Sequence, residues 1–210
     1  MISLYISIYS IIVIMLILTR VYNVDRISLI VKTILSIILI ISTITSPSSE
    51  SMIMISIILS AIADIFLGIH RIEKKSTYLF YIALIIVTAS QICMLISSIQ
   101  LSKFNKYSII LAIIMNIILY YSFEKKCTME TMQKISMIYA YVFLLVVSNV
   151  ILNASVLNTT YFVAVFLYWI SDIVLFVNKF IAKKNEILFD GINKIMYYMA
   201  QLLFVLYIQK

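Results

Sequence analysis

Glycine and proline are nearly missing from this 210-residue chain, which has two glycines, one proline, two cysteines, one histidine and one tryptophan. Two glycines cannot build a glycine-rich phosphate cradle or a GxxxG helix-pairing face. The cysteines, Cys93 in an apolar run and Cys127 in a basic loop, exclude a disulfide framework and have no metal-ligand spacing. No metal and no cofactor is expected. Charge is scarce as well. Only 12% of residues are charged against 64% hydrophobic, and the mean hydropathy is +1.12, which excludes an ordinary soluble fold. The net charge of +7 is dispersed between apolar runs and forms no continuous patch, so it points to membrane topology and not to nucleic acid.

What is abundant is apolar sequence in helix-length runs. Polar punctuation divides it into eight, at about 2–19, 27–45, 52–69, 77–98, 107–122, 135–152, 161–180 and 192–208. The runs are continuous and rich in isoleucine and leucine, without the alternation of a β-barrel. The expected fold is therefore all-α, a single bundle of eight transmembrane helices over residues 1–210. The first run has no basic residue before it and no small-residue cleavage pattern after it, and reads as a retained span. Thirteen of the sixteen basic residues fall in the odd-numbered connections, among them Arg26, Lys32, Arg71, Lys179 and Lys194. The positive-inside rule then places those connections in the cytoplasm and both termini outside.

Two acids interrupt this pattern. Asp172 lies in FVAVFLYWISDIVLFVNKF, residues 162–180, and Asp64 in SIILSAIADIFLGIHR, residues 56–71. A charge inside a spanning helix costs about 2.5–3.5 kcal/mol on insertion scales, so such residues usually face the bundle interior and mark a working site. Asp64 is seven residues before Arg71 and Asp172 seven before Lys179, which puts each acid roughly 10 Å inside a basic flank. Gln201 is seven residues past Lys194, with Tyr197 and Tyr198 one turn before it. Lys32, near the start of the second run, completes a layer of two acids, an amide, phenols and a lysine. The plainer readings are interhelical packing for Gln201 and the tyrosines, and topological anchoring for the lysines. His70, beside Arg71, reads as an interface residue.

Several of these residues fall in motifs. Val31-Lys32-Thr33, Ala63-Asp64-Ile65-Phe66-Leu67, Ser171-Asp172 through Asn178-Lys179-Phe180, and Tyr197-Tyr198-Met199-Ala200-Gln201-Leu202-Leu203 follow one another along nearly the whole chain. In this order the sequence resembles the YhhN family of membrane proteins, whose characterised members are lysoplasmalogenases. It departs from the family pattern at Ala63 for Gly, Thr33 for Pro, Lys179 for Arg, and at Gln91, where many members have a histidine. Gln91 can hydrogen-bond but cannot titrate.

The resemblance implies hydrolysis of the vinyl ether of a lysoplasmalogen to a fatty aldehyde and a glycerophospho-amine. It makes Asp64 and Asp172 the expected catalytic pair. Protonating the β-carbon of a vinyl ether gives an oxocarbenium ion, and one neutral acid beside one carboxylate suits that cation. Two acids in a low-dielectric layer resist ionising together, so one keeps its proton near neutral pH. Tyr197, Tyr198, Gln201 and Gln91 are expected around the substrate, Asn178 supports the end of the seventh helix, and Lys32 takes the lipid phosphate. The expected partners are a lysophospholipid and the bilayer, in a bacterial cell membrane. A proton-coupled permease that uses the two acids as a relay, or a catalytically silent family member, is the alternative. Few glycines and prolines break the helices, which favours the enzyme over the transporter.

Overall fold

A computed structural model of the chain describes residues 2–22, 24–73, 77–124, 131–180 and 186–209, with the side chains of residues 2–4, 20, 123–124, 131–135, 179–180 and 186 left out. The described chain is all-α. Its helices are α1 (Ile2–Val21), α2 (Asp25–Ile44), α3 (Ser51–Ile72), α4 (Thr77–Ser102), α5 (Tyr107–Glu124), α6 (Thr131–Leu152), α7 (Thr159–Phe180) and α8 (Glu186–Ile208). The eight expected runs are all helices. Five of them, α2, α3, α4, α7 and α8, are long and apolar enough to cross a membrane, whereas α1, α5 and α6 carry the shorter apolar stretches Tyr5–Thr19, Tyr107–Ser122 and Ser136–Leu152.

α2, α3 and α4 bury small hydroxyl residues, and α2 turns most of its isoleucines outward, the reverse of a soluble protein. α2 buries Ser28, Ser36, Ser42 and Thr43, while Ile27, Ile30, Ile34, Ile37, Ile41 and Ile44 face outward. α3 buries Ser56 and Ser60 beside Ala61 and Ala63, and α4 buries Ser90, Gln91, Ser97 and Ser98. Lipid is as apolar as isoleucine, so nothing is gained by hiding aliphatic side chains. Small residues let backbones approach, and polar ones find partners only inside. Ser90 on α4 donates to the Ser56 carbonyl on α3 at 2.8 Å, one such contact.

α7 packs along α8 and α3 along α4, α2 lies against α3, and α8 also touches α1, α2 and α3. An aromatic ladder fills the centre, with Tyr168 edge-on to Tyr197 at 5.3 Å and to Phe143 at 5.2 Å. α2 and α3 come close at Gly68, where a Cβ would stand 2.7 Å from Leu29 Cδ1 and that side chain would have to shift. Among the described residues, α5 packs only against α6.

Several charges counted as connections lie inside helices. Arg26 and Lys32 are in α2, and α8 begins at Glu186 instead of near 192. Lys194 is therefore a buried residue of α8 and not a loop anchor. Its Nζ is 3.0 Å from Asp190 Oδ2, one turn earlier, and Arg71 Nη1 at the end of α3 reaches Asp190 Oδ1 at 3.2 Å. This i,i+4 pair carries the helix through residues that hydropathy assigns to a loop. Lys74, Lys75, Lys125, Lys126, Cys127, Lys183, Lys184 and Lys210 lie outside the described residues, as do the side chains of Arg20, Lys134 and Lys179.

Just past α4, Lys103 holds φ at 71°, the left-handed region that favours glycine. The contacts made there use its carbonyl, which accepts from Asn153 Nδ2 at 3.4 Å. Lys103→Gly keeps that carbonyl and removes the Cβ strain, so it is expected to stabilise the protein by about 0.5–1 kcal/mol. A higher unfolding midpoint in detergent micelles checks this; an unchanged or lower one contradicts it.

Candidate functional site

Asp64 is held by two neighbours. Lys32 Nζ on α2 is 2.8 Å from Asp64 Oδ1, and the Tyr198 hydroxyl on α8 donates to Oδ2 at 3.0 Å. The pair is mostly withdrawn from the surface, with side-chain exposures of 18% for Lys32 and 12% for Asp64. α2 and α3 come close at Gly68, one turn past Asp64, where the Lys32 Cδ lies 3.6 Å from the position a Gly68 Cβ would take. Tyr198 is in turn anchored by Tyr9 on α1, whose hydroxyl donates to the Tyr198 carbonyl at 3.0 Å. Lys32, expected to meet a lipid phosphate, is thus the counter-ion of Asp64.

Asp172 has a different setting. Its Oδ2 accepts a hydrogen bond from the Tyr139 hydroxyl of α6, a phenol in place of an ammonium. Its helix is fixed in register with α8 by Asn193 Nδ2, which donates to the Ser171 carbonyl at 2.6 Å. The Ser171 hydroxyl donates back to the Tyr168 carbonyl at 2.7 Å. Asp172 forms part of the wall of a cavity of about 50 Å³ between α5, α6 and α7. Among the described residues, only Ser136 and Tyr139 besides Asp172 bring side-chain oxygen to this cavity, whose other walls include Leu119, Phe143, Trp169 and Phe176.

Between the acids runs a buried polar seam. Gln201 Nε2 donates to Ser60 Oγ at 3.0 Å, and the Tyr197 hydroxyl donates to the Ser60 carbonyl at 3.4 Å. Tyr168, fully buried, stands beside Ser60 and Gln91 and within electrostatic range of both Asp64 and Asp172. The acids also feel one another's charge, but each bonds to its own partner and they do not meet as a hydrogen-bonded pair. Gln91 is wholly buried beside Tyr139 and Tyr168, and neither its amide oxygen nor its nitrogen makes a hydrogen bond among the described residues.

The structure therefore places Lys32, Asp64, Tyr197, Tyr198 and Gln201 in one connected group, and Asp172 with Gln91 on its far side. Asn178 is not part of either. It is buried six residues beyond Asp172, on another face of α7, with its side-chain oxygen unpaired among the described residues. His70 packs its ring against Phe80 at 5.6 Å.

Three further residues take part. Tyr168, which from sequence reads as a packing residue, and Ser60 each precede an acid by four residues and share its helix face, a signal the sequence carries. Tyr139 has no such signal, because nothing local separates it from the other fourteen tyrosines.

No curated protein matches this chain, and no solved structure does. The model of the YhhN family matches residues 27–208, a stretch that runs from α2 through the end of α8 and contains both acids, and the chain belongs to the YhhN family.

Proposed function

We propose that this protein is an integral membrane hydrolase that cleaves the vinyl ether bond of lysoplasmalogens, with Asp172 as proton donor and Asp64 as a standing carboxylate. The YhhN family includes lysoplasmalogenases. The observation that carries the reading is the unequal treatment of the acids. Asp64 is ion-paired to an ammonium at 2.8 Å, whereas Asp172 faces an apolar cavity with a neutral phenol as partner.

Those settings suit the chemistry in order. The C=C π pair takes the Asp172 proton and becomes the new C–H bond at the β-carbon, while an ether-oxygen lone pair moves toward the α-carbon, leaving an oxocarbenium ion and the Asp172 carboxylate. The Asp64 carboxylate, within electrostatic range, stabilises the developing positive charge. Water adds to the α-carbon and returns a proton to Asp172, giving a hemiacetal. In the collapse, the Asp172 carboxyl gives its proton to the glycerol oxygen and takes the hemiacetal hydroxyl proton at its other oxygen. The C–O bond breaks, and aldehyde and glycerol hydroxyl are released with the acid reset. Lys32 pairs with Asp64, Tyr198 orients it, and Tyr197, Gln201 and Gln91 line the interior between the acids. The acids lie toward the cytoplasmic side, with both termini outside, in a bacterial cell membrane.

Purified protein supplied with a 1-alkenyl lysophospholipid is expected to release aldehyde, and the saturated 1-alkyl ether is expected to be inert. No aldehyde from any alkenyl headgroup variant, with folded protein, overturns the reading.

A further inference from the structure

The cavity beside Asp172 carries an inference about how substrate arrives. Among the described residues its lining is apolar except where Ser136, Tyr139 and Asp172 meet, a lining that suits a hydrocarbon chain with one reactive polar group at a fixed depth. Its volume of about 50 Å³ is small beside a lipid chain. A wall must therefore move.

The walls differ in how firmly they are held. α7 is fastened along α8 by the Asn193–Ser171 hydrogen bond and by the Tyr168–Tyr197 ring contact. α6 is backed by α4. α5 touches only α6 among the described residues, contributes Leu119 to the cavity and exposes isoleucines 109, 110, 113, 114, 117 and 118.

We propose that the Asp172 cavity receives the hydrocarbon chain of a single-chain ether lipid, which enters sideways from the bilayer through the seam between α5 and α7, with α5 as the wall that yields. The identity of the occupant rests on the hydrolase reading. The route rests on the packing alone. A chain lying in this seam passes directly over Trp169, one turn from Asp172, with its head-proximal carbons nearest both.

Trp169 is the only tryptophan in the chain, so its fluorescence reports on the cavity without labelling. The probe is a non-hydrolysable 1-alkyl lysophosphatidylethanolamine brominated either near the headgroup or near the terminal methyl. Head-proximal bromine is expected to quench Trp169 saturably and more strongly, with reversal by the unbrominated lipid. In a Cys93→Ser, Cys127→Ser background, Leu119→Cys and Phe176→Cys are joined across the seam by a thiol-reversible bifunctional methanethiosulfonate. Bridging is expected to abolish both the saturable quenching and aldehyde release, and reductant restores both.

If the unbridged protein releases aldehyde and bridging changes neither readout, the α5–α7 route is wrong and the hydrolase reading stands. If quenching is saturable and sensitive to bridging but no alkenyl lipid is cleaved, the route holds and the hydrolase reading fails. Quenching that is linear in lipid and equal for the two bromine positions marks collision only and overturns the chain site.

Discussion

Asp172→Asn is expected to lower aldehyde release by about 10²–10⁴-fold, the range that a positioned general acid contributes, while leaving the fold and lipid binding intact. Asparagine has nearly the same shape. It still accepts the hydrogen bond from Tyr139, so the α6–α7 contact at the cavity survives. What it loses is a proton acidic enough to form a C–H bond. Tyr139→Phe is expected to cost much less, because the phenol positions Asp172 without supplying the proton. Initial rates on an alkenyl lysolipid, with Trp169 quenching as a check on binding, make the comparison. Full turnover by Asp172→Asn would place the acid elsewhere, and the mechanism above would then be wrong.

The acids themselves were legible because lipid makes a charge conspicuous. In a chain with 12% charged residues, Asp64 and Asp172 stand out inside apolar runs, and the helical repeat places their depth before any fold is known. Their partners were less visible. Lys32 reads as an anchor near a helix end, and its pairing with Asp64 follows from the packing of α2 on α3, which no local pattern shows. Tyr139 meets Asp172 through the packing of α6 on α7, a tertiary fact with no local signature. Hydropathy misplaced the start of α8 for a related reason. It scores Asp190 and Lys194 one residue at a time, but in the helix each neutralises the other, and Arg71 joins them from α3. Depth follows from counting along one helix, whereas pairing depends on which helices meet.

That distinction bears on Lys32, where removing the charge is expected to have the largest effect on stability. Lys32→Met keeps the length and apolar stem of the side chain but leaves Asp64 without its counter-ion in a mostly enclosed site. Removing one partner of a buried ion pair typically costs about 3–5 kcal/mol, because the remaining charge stays desolvated and unpaired. Asp64→Asn alone strands the ammonium instead, although Lys32 is the more exposed partner and can snorkel toward water, so a smaller loss is expected there. The double variant Lys32→Met, Asp64→Asn strands neither charge and should recover most of the stability lost by Lys32→Met, while remaining unable to hold the carboxylate that the proposed reaction uses. Unfolding of the four proteins in mixed micelles, followed by loss of helicity, gives the coupling energy directly. Additive losses would mean that the two charges do not depend on one another. Lys32 would then be free to serve the lipid phosphate, and Lys32→Met should weaken turnover of phosphorylated alkenyl lipids far more than of an alkenyl glycerol without phosphate. A strongly non-additive cycle, with the two substrates affected alike, assigns Lys32 to keeping Asp64 charged.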